Sequence, residues 1–329
     1  MSDPMHLSSK IGDDDIKQEP NRAGFGRGLV KAAQQNDQVV GVVADLTGST
    51  KMDDFAKTFP ERFIEAGIAE QNMVTIGSGL AAMGKVPFVC SYAAFSPGRN
   101  WEQIRTTICL NDRPVKIVGG HAGLSVGPDG ATHQMLEDIA LMRVLPRMVV
   151  IVPCDAVEAE KATLAMAADK RPNYLRIARE GTPVFTTAST PFAIGSAYVF
   201  HEGTDVTIIA TGTMTYHALL AAKSLAKDGV SAEVIHVPTI KPLDEKTILA
   251  SVRKTRCVVT AEEAQIAGGL GGAIAELLGE KCPVPLRRIG MQDHFGESGE
   301  PAELFAHFGL DAFHISLAAH SLLGQKVKS

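Results

Sequence analysis

Short apolar runs alternate with longer segments of mixed character along most of the chain. Apolar runs without alternation are typical of strands that are buried on both faces of a parallel sheet. In the first half, such runs predict strands at 39–44, 86–90, 115–119, 148–152 and 173–178. Segments with helical character, at 101–110, 137–145 and 156–169, lie between several of them. This repeated β–α order predicts a parallel sheet covered by helices on both faces.

The second half repeats the pattern after a change in composition. Residues 181–203 are rich in Pro, Thr, Ser and Gly, which indicates a linker with a small hairpin. Further strands are predicted at 206–210, 232–237, 257–260 and 286–289, with helices at 216–227, 244–253 and 271–278. We therefore expect a flexible N-terminal tail or a partly docked arm over 1–20, and two domains, over 21–188 and 189–329.

Composition and charge exclude several classes of function. The chain has 329 residues, of which 45% are hydrophobic, and a formal net charge of −5. This charge does not favour nucleic acid or an anionic membrane as a partner, and no apolar run reaches the length of a membrane span. The five cysteines show no metal-binding or disulfide spacing, which indicates reduced thiols. We therefore expect a cytoplasmic protein.

The segment 63–83, FIEAGIAEQNMVTIGSGLAAM, carries the strongest candidate residue. It predicts a short extended run, a turn at Gly67 and a helix that has almost no charge after Glu70. A helix that is apolar all round is typically buried, and a buried carboxylate is costly unless a partner bonds it. No Lys or Arg lies nearby in sequence. Glu70 therefore either holds a ligand or faces the positive end of the helix dipole.

Two loops that follow predicted strands are further candidates. The turn ADLTGST begins at the end of strand 39–44, where ligands bind in open α/β sheets; its residues also suit a simple strand-to-helix turn. The loop 91–100 contains Tyr92 and Phe95, on which a flat heteroaromatic ring could stack. These two rings could instead be core residues at the edge of the sheet.

The third candidate is the loop 120–134, which follows the strand at 115–119. It combines four glycines with His121, Asp129 and His133. Long loops in compact domains tend to be functional, and this residue set suits proton transfer or the binding of hydroxyl groups. The twelve-residue spacing of the histidines does not match a compact metal motif. A purely structural loop is the alternative.

Several of these motifs, in this order, resemble those of the transketolase family. They are ADLTGST, GIAEQNM, SYAAF, GGHAGLSVGPDGATHQ, PNYLRIARE, and DVTIIATGTM with TIKPLD. The resemblance covers about residues 22–315 and corresponds to the C-terminal half of a transketolase. It implies an α/β fold with two parallel-sheet domains, a thiamine-diphosphate pyrimidine-binding domain followed by a transketolase C-terminal domain.

The resemblance also implies a role for each matching residue. Glu70 resembles the catalytic glutamate that bonds the aminopyrimidine ring and activates the cofactor, and Phe95 or Tyr92 resembles the aromatic residue against that ring. Cofactor contacts are implied at Asp45 and Leu46, and substrate contacts at Arg22, Ser49, His121, Asp129, His133 and Arg179. His121 and His133 are then catalytic as well, since they bind the substrate's hydroxyls and carbonyl. Arginine forks suit a sugar phosphate.

One part of the family pattern does not occur. Transketolases hold the diphosphate and its Mg²⁺ with a GDG motif and a later Asn, and this sequence has no such motif. The resemblance therefore implies the C-terminal subunit of a split transketolase, with no metal ligand of its own. A separate N-terminal subunit would supply that motif in a heterotetramer. The implied reaction transfers a two-carbon ketol unit from a ketose phosphate to an aldose phosphate, as in the pentose phosphate pathway.

Three other functions stay open at this point. Deoxyxylulose-phosphate synthases share the GIAEQ helix, but they usually have Arg and His where this chain has His121 and Asn72. The β chains of 2-oxoacid dehydrogenases have the same two domains, but they lack the residues that match Arg22, His121 and Arg179. A non-catalytic regulatory partner is the third alternative, which the presence of Glu70 disfavours. The sequence leaves the donor and acceptor sugars open.

Overall fold

The computed structural model describes residues 5–324. Its strands are β1 Gln18–Pro20, β2 Val39–Val43, β3 Phe63–Glu65, β4 Val86–Tyr92, β5 Lys116–Gly120, β6 Val149–Ile151, β7 Asn173–Arg176, β8 Gly181–Pro183, β9 Tyr198–His201, β10 Val206–Ala210, β11 Ala232–His236, β12 Thr239–Lys241, β13 Val258–Gln265 and β14 Leu286–Met291. Its α-helices are α1 Asn21–Gln35, α2 Asp53–Thr58, α3 Glu70–Ala82, α4 Trp101–Gln103, α5 Asp138–Arg143, α6 Ala156–Ala168, α7 Met214–Lys227, α8 Glu245–Thr255, α9 Leu270–Lys281, α10 Pro301–His307 and α11 Ala312–Leu322.

The sheet of the first domain has seven strands, in the order β12-β6-β7-β5-β4-β2-β3. Six of them are parallel, and β12 runs antiparallel to β6. Strands β2 and β5 are buried at every position, as their continuous apolar runs predict. The carboxyl ends of β2, β4 and β5 lie side by side, so the loops that follow these strands meet at one edge of the sheet.

The second domain is built on a five-stranded sheet, in the order β14-β13-β10-β11-β9. Only β9 is antiparallel to its neighbour. Strand β12 follows β11 in the chain but pairs with β6 of the first domain. One apolar cluster includes Val150 of the first sheet with Ile209 and Ile235 of the second, so the two domains share a core. The predicted α/β fold with two parallel-rich sheets is confirmed, and the boundary expected at residue 188 lies between β8 and β9.

The segment expected to be a flexible tail or a partly docked arm is docked wherever the structure describes it. Strand β1 pairs with β8, and Ile11 and Ile16 lie in the apolar core of the second domain. The backbone N–H of Gly12 donates to the Tyr216 hydroxyl at 3.1 Å. Of the two expectations for this segment, a flexible tail and a partly docked arm, residues 5–20 match the arm. Two isolated isoleucines leave no periodic pattern in the sequence that could have decided between them. Residues 1–4 lie outside the described part.

Helix α3 packs one face onto the sheet and leaves the other open. A Cβ on Gly77 would lie 2.6 Å from Val89 Cγ1, so only glycine allows this close approach to β4. The opposite side is exposed, and Ile68 and Met83 near its two ends are 75% and 81% exposed. The apolar composition of α3 therefore predicted a more deeply buried helix than the structure of this single chain shows.

The helix predicted over 101–110 is irregular. Only α4, a single turn, is α-helical, and it continues into a π-helical segment, Ile104–Cys109. Ser78 Oγ on α3 donates to the Thr107 carbonyl at 2.7 Å, a contact that sequence periodicity does not show. Between residues 5 and 324, no helix has both the length and the apolar character needed to cross a membrane.

Candidate active site

Glu70 is the first residue of α3 and is almost completely buried, with 5% of its surface exposed. Its two carboxylate oxygens lie 3.3 and 3.4 Å from Nη1 of Arg99. Asn100 Nδ2 donates to the Glu70 carbonyl at 2.9 Å and to Ser96 Oγ at 3.1 Å, which ties the start of α3 to the loop after β4. Arg99 is thus the partner that the local sequence around Glu70 lacks.

The Arg99 guanidinium also contacts the aromatic loop. Its central carbon is 4.1 Å from the centre of the Phe95 ring, and the Tyr92 and Phe95 rings stack at 5.8 Å. A planar group with N–H donors therefore contacts a carboxylate and an aromatic face at the same time. An aminopyrimidine ring has this same combination of a flat face and N–H donors, so the residues present fit it. The Arg99 side chain is 53% exposed and can leave without disturbing the core.

The two histidines of the glycine-rich loop are brought to the same aromatic pair. The His121 ring stacks on Tyr92 at 3.7 Å, and the His133 ring meets the Phe95 ring edge-on at 5.5 Å. Thr132 Oγ1 lies 2.9 Å from His133 Nδ1. His121 Nδ1 is buried and has no hydrogen-bond partner among residues 5–324, which leaves it available to a ligand.

Burial, together with the nearby charges of Arg22, Arg179 and His133, lowers the pKa of His121 to about 3. His121 is therefore neutral at any physiological pH. A neutral imidazole can both accept and donate a hydrogen bond, which suits contact with a hydroxyl group.

Replacing His121 by Asn should make the chain less sensitive to acid. The folded pKa lies far below the ordinary value of 6.5, so below pH 6.5 the unfolded chain binds a proton that the folded chain does not. The free energy of unfolding therefore falls as the pH decreases from about 6.5 towards 3, by up to about 1.4 kcal/mol per pH unit. Urea unfolding at pH 7 and pH 5 should give a smaller difference for H121N than for the wild type. If the free energy of unfolding changes equally between pH 7 and pH 5 in both proteins, the neutral state that we assign to folded His121 is contradicted.

Arg22 and Arg179 lie at the same end of the sheet as His121, close enough for each to lower its pKa. Arg22 Nη1 donates to the Ser49 carbonyl at 2.8 Å, so Arg22 contacts the backbone of Ser49 and not its hydroxyl group. Arg22 Nε is buried and has no partner in the described chain. Burial also lowers the pKa of Arg22, as does the charge of Arg179. Two such cations around a neutral imidazole suit an anionic group.

Arg179 is already paired in this structure. Its Nη1 donates to the Val126 carbonyl at 2.9 Å and to Asp129 Oδ1 at 3.2 Å, and its Nε lies 3.3 Å from Glu180 Oε1. The two residues that sequence reasoning assigned to a substrate phosphate and to a substrate hydroxyl therefore form an ion pair with each other. Asp129 and Arg179 must separate before each can bind a substrate as assigned.

Asp45 and Leu46 lie at the carboxyl end of β2, and a residue that sequence reasoning missed positions them. The Asp45 backbone has a left-handed φ of 56°, and its N–H donates to Glu65 Oε1 at 2.7 Å. The Gly67 N–H donates to the same oxygen at 3.0 Å. Glu65 thus joins the ADLTGST turn to the turn that precedes α3.

The glycine-rich loop is held from the second domain by Glu263, which sequence reasoning also missed. The buried Glu263 carboxylate accepts hydrogen bonds from the Ser125 N–H and, at 2.7 Å, from Thr213 Oγ1. Gly123 has a φ of 92°, and any Cβ there would collide with this carboxylate. The sequence did contain a signal, because two successive acids inside a buried strand, Glu262 and Glu263, each need a partner.

A buried charge network supports this junction. Arg176 Nε lies 2.9 Å from Asp138 Oδ2, and Arg176 Nη2 donates to the Glu263 carbonyl at 2.7 Å. Tyr174 Oη donates to Asp138 Oδ2 at 2.7 Å. The end of β7, the start of α5 and strand β13 are therefore fixed together beneath the loop that carries His121 and His133.

Replacing Glu263 by Gln should loosen the glycine-rich loop while the fold remains. The amide keeps an acceptor for the Ser125 N–H, but it loses the charge that strengthens the bond. We expect faster amide hydrogen exchange across residues 120–134, and no change around the start of α9. The matched variant E262Q should speed amide exchange at the start of α9 and leave residues 120–134 unchanged. Glu262 accepts hydrogen bonds from the N–H groups of Leu270 and Gly271 at that helix end. Equal protection of 120–134 in wild type and E263Q would refute this role.

The structure thus brings most of the candidate residues to one edge of the first sheet. Glu70, Tyr92, Phe95, His121 and His133 form one cluster through Arg99 and ring contacts. The second group, made up of Arg22, Ser49, Asp129 and Arg179, connects to it through the charges around His121. A buried acid beside aromatic rings, next to cations, is typical of a site for a heteroaromatic cofactor and an anionic substrate.

Comparison with known proteins identifies the family. Residues 18–184 match the family model of the transketolase pyrimidine binding domain, and residues 195–315 match that of the transketolase C-terminal domain. This chain therefore belongs to the transketolase family. As in the other members, thiamine diphosphate is the cofactor that the family implies.

The relatives include subunits of divided enzymes. The chain is 43% identical over 298 residues to a 6-deoxy-6-sulfo-D-fructose transketolase subunit of Clostridium sp. (strain MSTE9), covering 91% of this chain and 92% of that protein. It is 40% identical over 291 residues to a subunit of the apulose-4-phosphate transketolase of Phocaeicola vulgatus, covering 88% and 93%. A solved structure described as a split gene transketolase, inactive β4 tetramer, superposes with a TM-score of 0.87 at 44% identity, covering 94% and 99%.

Proposed function

We propose that this chain is the C-terminal subunit of a split transketolase that transfers a two-carbon ketol unit from a ketose phosphate to an aldose phosphate. The observation that carries this proposal is the position of Glu70, a buried carboxylate whose charged contact, Arg99, lies over the Phe95 ring. The relatives named as transketolase subunits support the same class of reaction.

The cofactor would be thiamine diphosphate, with its pyrimidine ring in the place that Arg99 now takes between Glu70 and Phe95. Its contribution when bound is a nucleophilic carbon and an electron sink for carbon–carbon cleavage. In this proposal Glu70 holds a proton at a pyrimidine nitrogen, Tyr92 and Phe95 flank the ring, and Asp45 and Leu46 line the cofactor's edge.

The remaining residues would bind the sugar. Neutral His121, with its unpartnered buried Nδ1, and His133 would contact the carbonyl and hydroxyl oxygens of the substrate and move protons among them. Arg22 and Arg179, with Ser49, would hold the terminal anion. Asp129 would contact a hydroxyl once Arg179 has turned towards that anion.

A partner would complete the site. We propose an N-terminal transketolase subunit that carries the GDG motif and its later Asn, holds Mg²⁺ and the diphosphate, and assembles with this chain into a heterotetramer. The exposed face of α3, with Ile68 and Met83 at its ends, supports an interface at this helix. The description of a split gene transketolase β4 tetramer as inactive is consistent with a chain that needs such a partner. Five unpaired, buried cysteines suit a reducing cytoplasm.

One observation adds a second candidate for the donor sugar. One of the two arginines of the anion group, Arg179, is paired with two carboxylates, Asp129 and Glu180, which reduces the local positive charge. One relative is named for a sulfo-sugar, whose sulfonate carries less negative charge than a phosphate dianion. A pentose phosphate is our first choice of donor, and 6-deoxy-6-sulfo-D-fructose is the second.

The test is ketol transfer by the co-expressed pair of subunits. We expect a three-carbon aldose phosphate and a seven-carbon ketose phosphate from xylulose phosphate with ribose phosphate as acceptor, only when both subunits, thiamine diphosphate and Mg²⁺ are present. If the sulfo-sugar is a donor and xylulose phosphate is not, the proposed transketolase reaction stands and the proposed donor sugar changes. No transfer from either donor by a correctly assembled complex would contradict the proposal.

A further inference from the structure

A second cluster of ligand-type side chains lies away from the candidate active site, where the two domains meet. Cys154 lies just after β6, Glu158 is in the first turn of α6, and His236 ends β11. Their exposed fractions are 1%, 2% and 0%. Each residue offers one ligand atom: the cysteine sulfur, a carboxylate oxygen and a ring nitrogen. These three atoms lie within 4.8 Å of one another. We propose that these three residues form a binding site for a divalent transition metal such as Zn²⁺.

The donor set suits that class of ion. Thiolate, carboxylate and imidazole are the three protein ligands of zinc, and a tetrahedral ion with bonds of about 2.0–2.3 Å separates neighbouring ligand atoms by roughly 3.3–3.8 Å. Glu158 Oε2 and His236 Nε2 are now 2.8 Å apart, so they need to separate by less than about 1 Å. Harder ions such as Mg²⁺ prefer all-oxygen sites, which this cluster does not offer.

An unsatisfied atom points independently to a missing ligand. Glu158 Oε1 is buried and has no hydrogen-bond partner among the described residues. Its other oxygen accepts from the Cys154 backbone N–H at 2.7 Å, in addition to the contact with His236. A buried carboxylate oxygen without a partner is costly, and a bound cation would remove that cost.

The surroundings already orient the imidazole as a metal ligand requires. Thr215 Oγ1 lies 2.8 Å from His236 Nδ1, which directs Nε2 towards Glu158 and Cys154. The Phe200 ring stacks on the imidazole at 4.9 Å and shields it from water. Because Cys154 and Glu158 belong to the first domain and His236 to the second, a bound ion would join the two domains.

The test is metal binding by tag-free, full-length protein that has been stripped with a chelator and then titrated with Co²⁺. We expect about one equivalent to bind, with a thiolate-to-cobalt charge-transfer band and a rise in Tm, and Zn²⁺ should displace the cobalt. Cys154→Ser should lose the band, whereas Cys282→Ser, which changes another buried thiol, should keep it.

A conservative variant separates ligation from general disruption. Thr215→Val removes only the hydroxyl beside the imidazole and should weaken Co²⁺ binding by about 10–100-fold while the fold is kept. The proposal is overturned if the wild type binds no stoichiometric metal, or if the band persists in Cys154→Ser. Both readouts are independent of ketol transfer, so they do not depend on the proposed function.

Discussion

Replacing Glu70 by Gln should lower the turnover of the assembled enzyme by about 10²–10⁴-fold, the usual contribution of a positioned acid–base group. The amide keeps the shape of the side chain but cannot hold or release the proton that we assign to it. Because Asn100 bonds the backbone carbonyl of Glu70 and not its carboxylate, the start of α3 should be undisturbed. The measurement is kcat for ketol transfer by the two-subunit complex.

The matched control is Glu61→Gln, which removes an exposed carboxylate from the segment just before β3. This variant should behave as the wild type. If E70Q retains near-normal kcat, Glu70 is not the group that activates the cofactor, and the role would have to belong to another acid.

Replacing Asp138 by Asn should cost about 3–5 kcal/mol of the free energy of unfolding, because it removes the carboxylate that forms an ion pair with the buried Arg176 guanidinium. The Tyr174 hydroxyl also loses a charged acceptor. Urea unfolding at neutral pH measures the effect. The loss should come with faster hydrogen exchange in β13, since Arg176 also bonds the Glu263 carbonyl.

The control for this variant is the ion pair between Arg143 of the first domain and Glu276 of the second, in which the Glu276 side chain is 65% exposed. Glu276→Gln should cost no more than about 1 kcal/mol. Similar losses for the two variants would show that burial of the Asp138–Arg176 pair does not have the structural importance that we assign to it.

Local pattern was sufficient for the framework of the fold. Strands β2, β4 and β5 each form a short apolar run, and such runs are visible without knowledge of their neighbours. The position of a site at the carboxyl ends of these strands follows from parallel topology alone. The motif GIAEQNM then singled out Glu70, because an acid at the start of an otherwise apolar helix needs an explanation.

What the sequence did not show depends on contacts between distant residues. Arg99 lies 29 positions from Glu70, and Glu263 lies 138 positions from Ser125; neither distance leaves a periodic signal. Strand β12 joins the sheet of the other domain, which no local pattern predicts. The ion pair between Asp129 and Arg179 is likewise a tertiary contact, and it changes how the anion group must operate.

The most direct test of the central claim is calorimetry of thiamine diphosphate binding in the presence of Mg²⁺, first with this chain alone and then with the proposed N-terminal partner subunit. We predict measurable binding only for the pair, because in the proposed function this chain would supply the pyrimidine contacts and the partner would supply the diphosphate and metal site. Tight binding by this chain alone would contradict the account and would place a complete cofactor site within these 329 residues.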